Sequence, residues 1–336
     1  MKAIDLHCDT IGELYRLKKE GHPQSILKNS RMVDLEKMEA GDYGLQVFAL
    51  FVNMERAEDP FACCMEMADL FYQELSAYPE RIGIVRTSKE IEENWAKGRM
   101  PALLSIEEGG VCRGNPAFLR DFYRLGVRMM TLTWNYPNEL AYPNRLSRLP
   151  DGSGLFEAET ERGLTEIGAA FVEEMERLGM LIDVSHLGDK GVWDVLRLAK
   201  GPVIASHSNA RALASFPRNL TDDMIRAIAE RGGIIGINYC AAFLEDFGPG
   251  EREISRVPRM VEHMKHIRKV GGIGCLGLGS DFDGISCELE MENAGQLGKL
   301  AREMERAGFT DGEMEAVFSG NARRVFREVL KENYEN

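Results

Sequence analysis

Short apolar runs alternate with amphipathic stretches along most of the chain. The runs are KAIDLH (2–7), GLQVFALFV (44–52), PALLSIE (101–107), VRMMTLTW (127–134), GMLIDVSH (179–186), GPVIASH (201–207), GGIIGINY (232–239) and CLGLGSD (275–281). Most are continuously apolar rather than alternating, the pattern of strands buried on both faces. Between them the period changes. Over residues 165–178, Ile167, Ala170, Phe171, Met175 and Leu178 recur at helical spacing, while Glu173, Glu174 and Glu176 fall largely elsewhere. Thr87 with Glu90, and Thr310 with Glu313, have the spacing of capping boxes that open helices. In LGM, AKGP and ERGG a glycine stops a helix just before the next apolar run. Eight strand–helix units predict an α/β chain folded as a (β/α)8 TIM barrel rather than a doubly wound sheet. The segments 10–40, 52–100 and 135–163 exceed ordinary connections and are expected to elaborate one face of the barrel. With no linker, low-complexity tract or internal repeat, residues 1–336 read as one domain.

A barrel of this kind carries its chemistry at the C-terminal ends of its strands. The runs end in His7 and Asp9; in Glu107 and Glu108; in Asp183, Ser185 and His186; in Ser206, His207 and Ser208; and in Asp281 and Asp283. Three of the six histidines fall at these ends, a placement that points to a divalent metal held by imidazole and carboxylate. His7 and Asp9 are two apart on a strand and project to one side, with Cys8 turned to the other, into the core. Three histidines with several carboxylates exceed the needs of one catalytic zinc, and two metals sharing a carboxylate fit better. His22, in a Gly/Pro-flanked loop, and His263 and His266, among Lys265, Arg268 and Lys269, read as solvated surface. GLGSD contains GxG, but residue 282 is Phe where a dinucleotide loop needs its third glycine, so NAD is set aside.

Composition narrows the partners. The chain has 336 residues, 44% hydrophobic and 28% charged, with a net charge of −13. So acidic a protein lacks the electrostatic footprint for nucleic acid or an anionic membrane surface. Its seven cysteines include no CxxC pair and read as reduced thiols of a cytoplasmic protein. The first apolar run begins at about residue 2, leaving no room for a signal peptide. No apolar run approaches the roughly 20 residues of a membrane span. The polar ending REVLKENYEN is not a lipid-anchor signal.

The order and spacing of DLHCDT, EGG at 108–110, RMMTLTWN, RGLTEIG, EMERLGMLIDVSH, VIASHSNARAL, RNLTDD, GSDFDG and GNARRVF run almost end to end. In these pieces the sequence resembles the membrane (renal) dipeptidase family of zinc peptidases, within the amidohydrolase group of barrels. The resemblance implies two zinc ions. His7 and Asp9 would bind the first, His186 and His207 the second, and Glu108 of EGG would bridge them, leaving Glu107 in support or in the core. Arg218 matches the arginine that pairs with the substrate's terminal carboxylate, for which a planar guanidinium is suited. Asp281 matches the aspartate that shuttles the proton, with Asp283 as its alternate. The implied reaction is hydrolysis of a dipeptide by a zinc-bridging hydroxide, with Asp281 protonating the leaving amine. Arg218 would limit substrates to short peptides, and a D-residue on the C-terminal side would be tolerated.

Two features set the chain apart within that group. It has HxD where many amidohydrolases have HxH, and TLTWN offers no lysine for carboxylation. Trp134 stands where mammalian members have a histidine near the substrate carbonyl. Its indole N–H, or Asn135, would have to donate in that histidine's place, and an oxyanion donor is worth about 10²–10³ in rate. The same residues also suit a related hydrolase of lactams, N-acyl amino acids or phosphoesters, or a metal-binding protein without turnover. The mammalian members are membrane-anchored and disulfide-containing, whereas this chain reads as a soluble, bacterial-type member. Homodimers are common in the family, and no interface can be read from this sequence.

Overall fold

All eight apolar runs become parallel strands, and the ring they form closes on itself. The strands are β1 (Ala3–Cys8), β2 (Tyr43–Phe51), β3 (Met100–Glu107), β4 (Val127–Thr131), β5 (Leu181–Asp183), β6 (Ile204–Ala205), β7 (Ile234–Ile237) and β8 (Leu276–Leu278). Each pairs with the next, and β8 returns to β1 with Leu278 opposite Asp5. This is the (β/α)8 barrel that the sequence predicts. The computed structural model describes residues 2–148, 154–248 and 250–331. Among these, no helix is long and apolar enough to cross a membrane. The polar C-terminal stretch is described only through residue 331.

Burial on both strand faces explains the continuous apolar runs. Ile4, Leu6, Leu45, Val47, Leu103, Met129, Leu181, Ile204 and Ile234 fill the barrel interior as a cluster of their own. Phe48, Leu104, Met130, Ile182 and Ile235 point outward and join the larger cluster beneath the helices. Truncating one interior residue, as in Leu103→Ala, costs about 2–5 kcal/mol because little can collapse into the space. The interior cluster is completed by Val325 and Phe326 of the helix Asn321–Val329. That helix sits at the N-terminal end of the barrel, where Arg324 donates to the carbonyls of Gly232 and Gly274, just ahead of β7 and β8.

Two local departures from regularity aim the site. On β1, Asp5 opposes Gln46 and Cys8 opposes Phe48, so three steps on β1 match two on β2. This bulge changes the parity of the strand. Ile4 and Leu6 face the interior, whereas Cys8 joins the outer core as the sequence implies. The second departure is a close approach around the Ser206 carbonyl. A Cβ at Gly279 would lie 1.8 Å from it and one at Gly236 2.0 Å. One glycine of the discarded GLGSD motif therefore serves barrel packing.

Helix signals read from the sequence are present. Thr165 caps the helix Glu166–Leu178, which stops at Gly179 with φ of 80°. Both capping boxes, Thr87 with Glu90 and Thr310 with Glu313, form in both directions. Three expectations need correction. Ile167 is 43% exposed rather than on the buried face of its helix. The segment 52–100 does not elaborate one face alone. Its strand Ile82–Val85 pairs with Met100–Leu103, the first half of β3, at the end of the barrel away from the strand C-termini. His263 is not surface. It is 1% exposed, accepts from Ala210 N–H at Nδ1 (3.0 Å) and reaches the Leu244 carbonyl with Nε2 (3.0 Å). Its neighbours at helical spacing, Met260, Met264 and Ile267, are buried with it. His266 is partly buried against Asp222 at 2.7 Å, and His22 is exposed as expected. Within 135–163, the strands Arg145–Arg148 and Gly154–Glu157 pair as a hairpin; residues 149–153 lie outside the described residues.

Candidate metal centre and substrate cavity

Six side chains from five strand ends converge. Glu107, the last residue of β3, lies between the histidines. Its Oε2 is 3.2 Å from His7 Nε2, and its Oε1 is 2.9 Å from His186 Nε2 and 3.4 Å from His207 Nε2. His7 Nε2 also lies 3.4 Å from Asp9 Oδ2 and 4.0 Å from Asp281 Oδ1. The Nε2 atoms of His186 and His207 face each other at 3.0 Å. His7, Asp9 and Glu107 form one set of potential ligands, Glu107, His186 and His207 a second, and His7, His207 and Asp281 a third, each within 4.8 Å. The donors are imidazole nitrogens and carboxylate oxygens, the set preferred by zinc and similar ions. His7 Nε2, Asp9 Oδ1 and Glu107 Oε1 are buried with no hydrogen-bond partner, as residues aimed at a cation would be.

The electrostatics are those of a cluster awaiting positive charge. Burial alone would raise the Glu107 carboxyl, but the charge of His7 and the contacts with His186 and His207 hold it well below the usual range. Burial opposes protonation of His7, yet Glu107 and Asp9 push its pKa well up. Burial, then the nearby Arg218, brings His186 down to about 4, and His207 is lowered for related reasons. His186 and His207 are therefore neutral, the form that binds metals.

Glu108 does not join the cluster, which corrects the assignment made by resemblance. Its backbone has φ of 110°, a region that favours glycine, and this swings the side chain away from the mouth. The carboxylate instead accepts from Gly110 N–H (2.8 Å), Trp134 N–H (2.9 Å) and the Asn138 amide. Burial, moderated by these hydrogen bonds, raises it to about 7. Glu107 lies among the three histidines, and Glu108 braces the loop after β4. His186 and Asp281 also have positive φ, 69° and 59°. Strained backbone gathered at one site is characteristic of function.

A buried polar layer fixes the histidines. Asp183 accepts from Thr131 Oγ1 (2.7 Å), Ser206 Oγ (2.5 Å), Ser185 N–H (3.0 Å) and Ser206 N–H (2.9 Å). With its proton given to Asp183, Ser206 Oγ receives His207 Nδ1–H at 2.7 Å. Asn135 Oδ1 receives His186 Nδ1–H at 3.1 Å. Both rings thereby present the Nε2 lone pair to the cluster. The sequence points to Asn135 only as a substrate contact and assigns no role to Ser206; the available signal is the polar triplet around each strand-end histidine.

The two acids of SDFDG separate. Asp281 Oδ2 accepts from Asn238 Nδ2 at 2.9 Å, and burial, with Asp9 and Glu107 acting against His7, pushes the carboxyl up to about 8. Asp283 instead accepts from Thr10 Oγ1 (2.6 Å) and Met32 N–H (2.7 Å), tying down the 10–40 segment.

Arg218 is buried beside the cluster, its guanidinium donating to Ser208 Oγ (2.7 Å) and to the His207 carbonyl (3.0 Å), with Nε unpartnered. It lines a cavity of about 130 Å³ with Asn135, His186, Phe156, Phe216 and Phe243. A larger cavity of about 760 Å³ opens over Asp9, Glu107, His186 and Asp281 and is walled by Phe51 and Trp134, whose rings pack at 4.9 Å. Asn135, His186 and Phe243 border both cavities. A third, of about 370 Å³, lies at the other end of the barrel beside Lys2, Trp95 and Arg323 and meets none of the strand-end residues.

The sequence profile of the membrane dipeptidase family (peptidase family M19) matches residues 1–336. Dipeptidase verJ of Clonostachys rogersoniana is 28% identical over 308 residues, 88% of this chain and 75% of that protein. An uncharacterized protein in the pqqA 5' region of Klebsiella pneumoniae is 30% identical over 274 residues, 82% of this chain and 98% of that one. Among solved structures, the dipeptidase AC, a metallo peptidase of family M19, is 26% identical, with a TM-score of 0.88 over 98% of this chain and 99% of the other. A Rhodobacter sphaeroides metallo peptidase, liganded with a phosphinate mimic of the dipeptide L-Ala-D-Ala, shares the fold at 23% identity, with a TM-score of 0.85 over 98% and 99% of the two chains. With a family match across the whole chain and an imidazole–carboxylate cluster at the barrel mouth, this chain belongs to the membrane dipeptidase family, peptidase family M19, and is a metallo-dipeptidase.

Proposed function

We propose that the chain hydrolyses dipeptides at a centre of two divalent ions, zinc by the nature of the donors. The observation that carries this is Glu107 standing between His7 on one side and His186 and His207 on the other. One ion would be held by His7, Asp9 and Glu107, the other by Glu107, His186 and His207. When bound, such ions polarise a carbonyl and ease the deprotonation of water.

The chain's own residues do the rest. Arg218 holds the substrate's terminal carboxylate in the small cavity beside His186, so the scissile bond lies toward the large one. This anchoring favours short peptides, since a longer chain has no carboxylate at that spacing. Asp281, 4.0 Å from His7 Nε2 and facing the large cavity, is placed to pass a proton to the departing amine. Asn135 orients His186, and Trp134 forms a wall of the substrate cavity with an indole N–H to offer. The Rhodobacter sphaeroides protein's ligand mimics an L,D-dipeptide. Acceptance of a D-residue on the C-terminal side is proposed here too. The seven unpaired cysteines support a reducing, cytoplasmic setting.

Elemental analysis combined with a panel of L,L- and L,D-dipeptides, with and without added zinc, tests this reading. About two ions per chain and zinc-dependent cleavage, abolished by Glu107→Gln, are expected. A single ion, or two ions with no cleavage of any dipeptide, would reject it and turn the search to lactams, acyl amides and phosphoesters.

A further inference from the structure

Two thiols that the metal centre does not use meet at the edge of the large cavity. Cys240 follows β7 and lines that cavity. Cys287 belongs to the loop after β8, directly behind Asp283, Gly284, Ile285 and Ser286, which line the same cavity. The Ala241 N–H donates to Cys287 Sγ at 3.3 Å. That nitrogen is bonded to the Cys240 carbonyl carbon, so Cys287 Sγ lies within about 6 Å of Cys240 Cα. The two side chains also hydrogen-bond to each other, which sets the sulfurs side by side, so a disulfide needs only small side-chain rotations. Both residues are only partly buried.

The two sulfurs differ in character. The neighbouring Cys240 thiol draws Cys287 down to about 7, against the effect of burial and with help from the Ala241 amide. Cys240 is driven up by the same contact and by burial. The Ala241 N–H, 3.3 Å from Cys287 Sγ, favours a thiolate there, which suits Cys287 as the attacking and Cys240 as the resolving cysteine. The other cysteines contrast with this. Cys8, Cys64, Cys112 and Cys275 are buried, and burial raises each of them. Cys63 is partly exposed but is also raised by burial.

We infer that Cys240 and Cys287 form an oxidisable pair, converted by a hydroperoxide into a disulfide that ties the β7 wall of the substrate cavity to the β8 wall. The Cys287 thiolate attacks the O–O bond and becomes a sulfenic acid, and the hydroperoxide leaves as an alcohol, or as water when it is hydrogen peroxide. Cys240 sulfur then attacks the sulfenic sulfur, the S–S bond forms, and the hydroxyl departs as water with the Cys240 proton. In sum, two thiols and one hydroperoxide give a disulfide, an alcohol and water. The helix Ala241–Leu244 begins next to Cys240 and carries Phe243, which borders both cavities, so the cross-link restrains the passage between them.

The test uses the metal-loaded protein and hydrogen peroxide at an equimolar dose. The intact mass should fall by two hydrogens, digestion should give one cross-linked peptide joining Cys240 to Cys287, and dithiothreitol should reverse both changes. In Cys240→Ser the oxidation should stop at a dimedone-trapped sulfenic acid on Cys287, and in Cys287→Ser Cys240 should stay reduced at this dose. The oxidised protein should lose at least about fivefold in dipeptide kcat/KM and regain it on reduction. First oxidation at Cys63, absence of the cross-link, or unchanged turnover in fully cross-linked protein would overturn the inference. The mass readout needs no substrate, so it stands apart from the reading of the enzyme's activity on which the turnover readout rests.

Discussion

His186 Nε2 and Glu107 Oε1 face each other at 2.9 Å, and this contact decides which of two adjacent acids serves the centre. Glu108 is spent on backbone N–H groups and on Asn138. With the two-ion centre proposed above, Glu107→Gln should strip at least one ion per chain and lower kcat/KM by about 10³-fold or more, since the carboxylate that would be shared by the ions is lost. Glu108→Gln should keep both ions and lose only about 10-fold or less, with reduced stability, because a buried acceptor of three hydrogen bonds is altered. Inductively coupled plasma analysis of both variants separates the cases. Loss of metal in Glu108→Gln with retention in Glu107→Gln would reverse the assignment.

Asn135 holds His186 in the tautomer that presents Nε2 to the cluster. Replacing it with leucine frees the ring to rotate or to exchange tautomers. Metal affinity should then fall about 10- to 100-fold, the usual cost of losing a hydrogen bond behind a ligand. Competition with a chromophoric chelator reads that shift. Excess zinc should restore most of the turnover, whereas a direct role for Asn135 on the substrate would leave a deficit in kcat at saturating metal.

The barrel was legible because strands buried on both faces write long apolar runs, and the histidines were legible because they fall where those runs stop. What stayed hidden depends on single backbone angles and on neighbours distant in sequence. Glu107 and Glu108 are indistinguishable as letters; the φ of 110° at Glu108 and its side-chain hydrogen bonds to residues 134 and 138 tell them apart. The bulge on β1 adds one residue that no alternation pattern marks. IGIV at 82–85 is too short to stand out within a long connection, although it extends the sheet beside β3. His263 was obscured by the cations around it, while Met260, Met264 and Ile267 define the face it belongs to.

Arg218 is a buried cation with two donors fixed by Ser208 and the His207 carbonyl, next to His186. A charged hydrogen bond to a carboxylate is worth about 1.5–3 kcal/mol. Arg218→Lys keeps the charge but loses the planar fork. It should raise KM for free dipeptides about 10- to 100-fold with a smaller change in kcat. The corresponding dipeptide amides, which lack the carboxylate, should be cleaved equally by both forms. Equal losses on acid and amide would assign Arg218 to holding the site together rather than to binding substrate.

His263 makes stability depend on pH without touching the metal centre. Nδ1 accepts from Ala210 N–H, so Nε2 must carry the proton that reaches the Leu244 carbonyl, and the ring is neutral. A second proton would set N–H against N–H in a buried site. Burial is the main cause that brings the group down to about 4 from its ordinary value of 6.5. Between these values the unfolded chain takes up a proton that the folded chain refuses. The stabilisation is therefore complete above pH 6.5 and is lost progressively as pH falls toward 4. On going from pH 7 to pH 5 this residue should remove about 2 kcal/mol. His263→Gln offers one acceptor and one donor but cannot titrate, so urea unfolding of the variant should show a pH 7 to 5 loss smaller by that amount. Parallel losses in the two proteins would mean that His263 takes up its proton in the folded state as readily as in the unfolded one.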